Sequence, residues 1–194
     1  MVDISDDIVR RARDGDVDAF RSVLEVFEKP VFQTVYRLVG GRFPNDVEDV
    51  TQDLFLKIFR SLPRFDPDRG VKFSTWIYTF VKNHCFDVLK KRRLQVVSYD
   101  GTDRSGDSES RLELPSDAAE PGDLSLRCEL GRRNQEAVDQ QPYDQRVAFV
   151  LREFQGLDYR EIGQIVECSE GTVKSRLYRA KEALRGSLRK YVLQ

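Results

Sequence analysis

Apolar residues recur along this chain at the three-and-four spacing of helices, and the pattern predicts an all-α protein. A first helix covers Ile4 to Arg13. A second follows GDVDAF, where Asp16 can cap and Phe20, Leu24 and Phe27 form a core stripe. Pro30 is expected to open a third helix through Val31, Val35 and Leu38. A fourth runs from Asp46 to Arg60, with Val47, Val50, Leu54 and Ile58 inward. The fifth follows the turn FDPDRGVK and reads FSTWIYTFVKNHCFDVLKKRR, with Phe73, Trp76, Ile77, Phe80, Val81, His84 and Val88 on its buried side.

The pattern then stops. Between Gln95 and Ser125 eight acids are opposed only by Arg104 and Arg111, among many Gly, Ser, Asp and Pro residues. Such a segment buries too little apolar surface to order itself, which predicts a flexible acidic linker. Two small helical domains result, at 1–94 and 128–194, joined by 95–127.

The second domain ends in LDYREIGQIVECSEGTVKSRLYRAKEAL, which reads as two short helices. Asp158 and Glu161 make a capping box, and Ile162, Ile165 and Val166 supply the buried side of the first. Gly163 lets that helix approach its partner closely, and the connection ECSEG ends in a glycine suited to a sharp turn. In the second helix Val173, Leu177, Ala180 and Leu184 form the inward stripe, while Thr172, Ser175 and Arg179 face away. Lys174, Lys181 and Arg185 lie on one flank and Arg176 on the other. Groups suited to base edges are thus bracketed by groups suited to phosphates, as in a helix-turn-helix. An ordinary helical hairpin with a solvated, lysine-rich face is the alternative.

Two faces of the first domain are also unusual. On the helix from Asp46 to Arg60, Glu48, Gln52, Phe55 and Phe59 share a flank, with Leu56, Asp46, Asp49 and Asp53 nearby. An acidic strip edged with aromatics suits docking to a basic helical partner, unless Phe55 and Phe59 merely widen the core stripe. On the fifth helix Thr75, Thr79, Lys82, Asn83, Phe86, Lys90 and Arg93 project outward, with Tyr78 at the border. Aromatic rings among bases and amides make a surface on which unpaired bases stack, unless the helix bends near Asn83 and returns Phe86 to the core.

Composition narrows the function. The 194 residues carry a net charge of −1, which would argue against a nucleic-acid partner were the charges not segregated. No apolar run approaches a membrane span, and MVDISDDIVRRARDGD lacks the pattern of a signal peptide, so a cytoplasmic protein is expected. Three scattered cysteines give neither a disulfide framework nor a zinc knuckle. No paired carboxylates, serine–histidine arrangement or phosphate loop points to an enzyme, and no metal, cofactor or small-molecule substrate is expected.

The stretch PYDQRVAFVLREFQGLDYREIGQIVECSEGTVKSRLYRAKEAL resembles the promoter-binding domain of bacterial sigma factors of the extracytoplasmic-function (ECF) group, a branch of the sigma-70 family. Response regulators of the LuxR type end in a similar helix, but the resemblance extends to the other end of the chain. There DVEDVTQDLFLKIFRSLPRFDP is similar to the segment that binds the clamp helices of RNA polymerase, and FSTWIYTFVKNHCFDVLKKRR to the segment that captures the −10 promoter element. The resemblance implies a transcription initiation factor that partners core RNA polymerase and promoter DNA and is held by an anti-sigma factor, in some cases at the inner membrane. It puts Asp46, Glu48, Asp49, Gln52, Asp53 and Phe55 on the polymerase interface. Trp76, Tyr78, Lys82, Asn83, Phe86, Lys90 and Arg93 fall on the −10 surface, with Tyr78 and Asn83 where relatives hold a flipped base. Thr172, Lys174, Ser175, Arg176, Tyr178, Arg179 and Lys181 fall on the −35 surface. KNHCFD differs from many members in the loop that reads the flipped base. Two other classes remain: a stand-alone helix-turn-helix regulator, which needs no single-strand surface, and a sigma-like adaptor, which needs no cationic recognition helix.

Overall fold

A computed structural model of the chain describes residues 4–98, 131 and 133–192. Most of the predicted linker, and the side chain of Arg93, lie outside the described residues. The elements are α1 (Asp6–Arg13), α2 (Val17–Val35), α3 (Val47–Ser61), α4 (Phe73–Ser98), α5 over residues 133–139, α6 (Tyr143–Glu153), α7 (Tyr159–Val166) and α8 (Glu170–Val192). Among the described residues there is no strand.

Asp16 caps α2 as expected, its carboxylate accepting from the backbone N–H groups of Asp18 and Ala19 at 2.9 and 3.0 Å. Pro30, however, does not open a helix. It sits inside α2, which loses one backbone hydrogen bond there and continues because Phe27, Val31 and Val35 are fully buried along one side of it. Burying each such side chain is worth about 1.5–3 kcal/mol, enough to offset the break. The carbonyl of Pro30 finds a partner in the Thr34 hydroxyl at 2.8 Å. Beyond Val35 the chain widens into a π-turn over Tyr36–Gly40 before α3.

Leu54 and Ile58 of α3 and Ile77 and Val81 of α4 close the N-terminal core over α2. A run of packed rings finishes its lower end: Phe27, Phe73, Phe65, Trp76 and Phe80 meet edge-on, tilted or stacked with centroids 4.7–5.8 Å apart. In the C-terminal body α6, α7 and α8 surround Val147, Leu151, Leu157, Ile162, Ile165, Val173 and Leu177. The two bodies share one continuous apolar cluster, α4 packing against α7 and the Tyr36–Gly40 turn against α6. Arg146, 3% exposed, ties them with a hydrogen bond from Nη1 to the Leu38 carbonyl at 2.9 Å, and also donates to Asp139 and to the Gln141 carbonyl.

Candidate nucleic-acid and polymerase interfaces

The pair α7–α8 has the helix-turn-helix form expected. Asp158 accepts from the Glu161 N–H at 2.7 Å while Glu161 accepts from the Asp158 N–H at 2.8 Å, so the capping box is complete. A Cβ at Gly163 would stand 2.8 Å from the backbone oxygen of Cys168, so only glycine allows the turn to fold back this tightly. The left-handed residue of the turn is Glu167, at φ 54°, not the glycine of ECSEG; Gly171 already lies in the first turn of α8. The reason is local: the N–H of Cys168 must reach the Gly163 carbonyl at 3.0 Å, which places the reversal directly after α7.

Val173, Leu177, Ala180 and Leu184 are buried, and Lys174, Ser175, Tyr178, Arg179 and Lys181 are exposed on the opposite side of α8. Tyr178, at 68% exposed, is a large aromatic side chain standing open on this face. Lys174 lies 5.6 Å from the centroid of Tyr159, whose other neighbour is Arg152 at 5.0 Å, so one ring gathers two cations beside the recognition face. Ser175 donates back to the Thr172 carbonyl at 2.9 Å, and the Thr172 hydroxyl pairs with Ser169 at 3.0 Å. Lys181 pairs with Glu153 at 2.9 Å. Arg176 is drawn off the face, its guanidinium 2.8 Å from Asp144 and near the Cys168 sulfur. Arg160 is exposed in the first turn of α7, where no periodic stripe marks it in the sequence.

On α3, Glu48, Asp49, Gln52 and Asp53 are exposed. Leu56 and Phe59 are 53% and 48% exposed, with Phe59 edge-on to Phe20 at 4.7 Å, whereas Phe55 is half-buried against the core. The two aromatics thus divide between the alternatives. Asp46 is not free: it holds Arg92 at 2.6 Å, pinning the start of α3 to the far part of α4.

The outward face of α4 departs most from expectation. Tyr78 is 2% exposed, because Gln155 of the C-terminal body lies over it, and Thr75 is buried as well. The Tyr78 hydroxyl donates to Gln155 Oε1 at 2.7 Å, and burial pushes its phenol well above the ordinary range, keeping it a donor. Lys82 is 3.4 Å from Glu167, and its carbonyl accepts from the Tyr143 hydroxyl at 2.6 Å. Trp76 is half-buried among the rings described above. Phe86 does not return to the core; it is 49% exposed and tilted against Tyr143 at 5.4 Å. Asn83 and Lys90 remain exposed. A helical wheel shows which residues share a side of α4 but not that a distant segment covers part of it.

Two family models match this chain: Sigma-70 region 2 over residues 24–95 and Sigma-70, region 4 over residues 134–184. The chain belongs to the sigma-70 family, in its ECF group. It is 30% identical over 183 residues to the ECF RNA polymerase sigma factor SigW of Bacillus subtilis, covering 93% of this chain and 95% of that one. It is 32% identical over 177 residues to the ECF RNA polymerase sigma-E factor of Escherichia coli K12, covering 91% and 90%. The sigma factor RpoE of Bartonella quintana, solved with the anti-sigma factor NepR, has the same fold, with a TM-score of 0.70 at 24% identity over 89% of this chain and 98% of that one. CnrH, solved with the cytosolic domain of CnrY, does too, at 0.69 and 22% over 94% and 96%. As a sigma factor the chain is a transcription initiation factor acting with core RNA polymerase on promoter DNA, not an enzyme. Among the described residues, no helix is long and apolar enough to cross a membrane.

Proposed function

We propose that this sigma factor divides its work among three faces. The exposed side of α8 reads the duplex −35 element, with Arg179 and Tyr178 toward base edges and Lys174 and Lys181 toward phosphates. Thr172 and Ser175, now bonded within the turn and α8, supply hydroxyls at the same face. Arg176, held by Asp144, steadies the turn and meets the backbone only from its rim. The acids Glu48, Asp49 and Asp53, with Gln52 and the apolar Leu56 and Phe59, dock on core polymerase. Asp46 and Phe55 support that strip from behind.

Melting belongs to α4. Asn83, Tyr78 and Phe86 hold bases released from the −10 stack, Trp76 backs them, and Lys82, Lys90 and Arg93 follow the backbone. The observation that carries this division is α8 itself: a cationic, aromatic side left exposed on a helix whose other side packs against the turn that Gly163 lets fold back. The acidic connection of 95–127 joins the two DNA-binding domains. The protein works in the cytoplasm, and an anti-sigma factor that covers the acidic strip and the recognition helix holds it inactive, in the membrane-anchored case at the inner membrane. Run-off transcription with core polymerase and genomic fragments tests the proposal. Discrete transcripts that vanish without this chain are expected; duplex binding with no transcript would favour a stand-alone regulator.

A further inference from the structure

The cations of α8 differ in what holds them. Arg176 pairs with Asp144, Lys181 with Glu153 and Arg185 with Glu182, at 2.8, 2.9 and 2.7 Å. Each of those partners is a carboxylate, which fixes a cation and offsets its charge in the same act. Lys174 is held in another way: its ammonium lies 5.6 Å from the centroid of Tyr159, the first residue of α7. An aromatic face attracts a cation through its quadrupole and carries no net charge. The ammonium of Lys174 therefore keeps its whole charge for another anion.

The ring is itself held. Tyr159 is half-buried against the core of the C-terminal body, which fixes its side chain by packing. Arg152 lies 5.0 Å from the same centroid, and its Nη1 donates to the Leu157 carbonyl at 2.8 Å, tying the guanidinium to the chain between α6 and α7. The capping box of Asp158 and Glu161 sets the backbone on either side of the ring. Backbone carbonyl, arginine, ring and lysine thus follow one another outward. Exposure rises in that order: Leu157 is buried, Arg152 and Tyr159 are half-buried and Lys174 is exposed.

We infer that Tyr159 is a positioning residue for duplex recognition: its ring holds the Lys174 ammonium at the flank of α8 where a DNA phosphate is met. A lysine on its flexible stem gives up rotamer freedom when it meets a phosphate, and one already gathered on a ring gives up less. A ring claims no lone-pair hydrogen bond from the ammonium, so ring and phosphate hold it together rather than in turn. A carboxylate in the same place would compete with the phosphate. The inference rests on the assignment of Lys174 to a phosphate, and its test separates the two.

The full-length chain is compared with Tyr159→Leu, which keeps apolar bulk and removes the ring, and with Tyr159→Phe, which keeps the ring and removes the hydroxyl. Lys174→Ala and the double variant Tyr159→Leu with Lys174→Ala complete the cycle. Fluorescence anisotropy at low salt measures affinity for a pool of random-sequence duplex DNA, because a phosphate contact serves every sequence alike. Tyr159→Leu should lose roughly two- to fivefold in affinity, the worth of a cation on an exposed ring, and Tyr159→Phe should recover it. In the Lys174→Ala background Tyr159→Leu should cost nothing more, since no lysine is left to place. Without DNA, the ε-methylene protons of Lys174 should be shifted upfield by the ring in the parent and in Tyr159→Phe.

An equal loss from Tyr159→Leu with and without Lys174 would overturn the inference and leave the assignment of Lys174 standing. A Lys174→Ala variant that binds the pool as the parent does would overturn both. Failure of Tyr159→Phe to recover binding would put the effect in the hydroxyl and end the role of the ring. Should Tyr159→Leu fail to fold, the Lys174 resonance of the parent decides, and an unshifted methylene would overturn the inference.

Discussion

The outward sides of α8 and α4 are built from the same kinds of residue and live in different surroundings. Each combines cations with hydroxyl or amide groups and an aromatic ring. On α8 that side is open, because the stripe Val173, Leu177, Ala180 and Leu184 takes all of the packing. On α4 packing comes from both directions: Ile77 and Val81 enter the N-terminal core, and Tyr78, Lys82 and Phe86 meet residues from the C-terminal body. A surface that must read a ready-made duplex can stand open at all times. The side of α4 proposed for unpaired bases is instead partly covered by the C-terminal body.

The largest effect expected removes the setting in which the two sides act together. Reversing Asp49 and Asp53 to lysine puts two wrong charges on the docking strip of α3, which are exposed and carry no packing. Loss of binding to core polymerase by about 3 kcal/mol or more, near a hundredfold, is expected, with unchanged circular dichroism. Comigration with core polymerase at the parental level would show that α3 is not the docking surface.

Next in size is a change that damages α8 and spares α4. Gly163→Ala forces a methyl to within 2.8 Å of the Cys168 oxygen, a backbone atom that cannot move aside cheaply. Overpacking of this sort costs about 1–3 kcal/mol, so urea unfolding should shift to lower midpoint and duplex affinity should fall. A variant as stable as the parent would mean that the turn after α7 gives way to a methyl group at little cost.

Within α8 the comparison sharpens to two cations. Arg179→Ala should relax sequence preference at a cost of about 1–3 kcal/mol, because it deletes a base contact. Lys174→Ala should weaken all sequences alike and lower the salt slope by about one, because it deletes a phosphate contact. Equal, sequence-independent losses in titrations against cognate and scrambled duplex would erase the distinction.

The smallest effect concerns the inner side of α4. His84, the chain's single histidine, is held below its ordinary value of 6.5 by burial and by Lys57, whose ammonium lies 2.7 Å from Nδ1. The unfolded chain therefore binds a proton that the folded chain refuses. Stability is complete above about pH 6.5 and declines as pH falls from there toward the lowered folded value. An NMR titration of the one imidazole resonance should give a midpoint below 6.5, and a midpoint above it would reverse the sign.

Much of this was legible in the chain itself. Capping at Asp16 and Asp158, the stripe of α8 and the need for glycine at 163 follow from local spacing, and each holds. The helix break expected at Pro30 failed because burial along α2 outweighs a single lost hydrogen bond. The reversal expected at Gly171 lies at Glu167, since hydrogen bonding at the end of α7 decides where the chain must turn. Tyr78, at the border of the outward side on the helical wheel, is buried for a different reason. Its partner Gln155 is 77 positions away, and no periodicity within α4 reports a residue so distant. The same separation hid Tyr143 and Arg146, whose contacts on the first body lie 61 and 108 positions off.

The central claim is that one sigma factor reads duplex with α8 and holds a melted strand with α4. Permanganate reactivity of promoter thymines tests it most directly, with core polymerase, this chain and its Asn83→Ala variant, since Asn83 is exposed on α4. The account predicts reactive thymines around −10 with the parent chain, and several-fold weaker reactivity with the variant despite an unchanged closed complex. Full reactivity with the variant would remove Asn83 from the site, and a parent chain that binds the promoter with core polymerase yet never exposes a thymine would contradict the account as a whole.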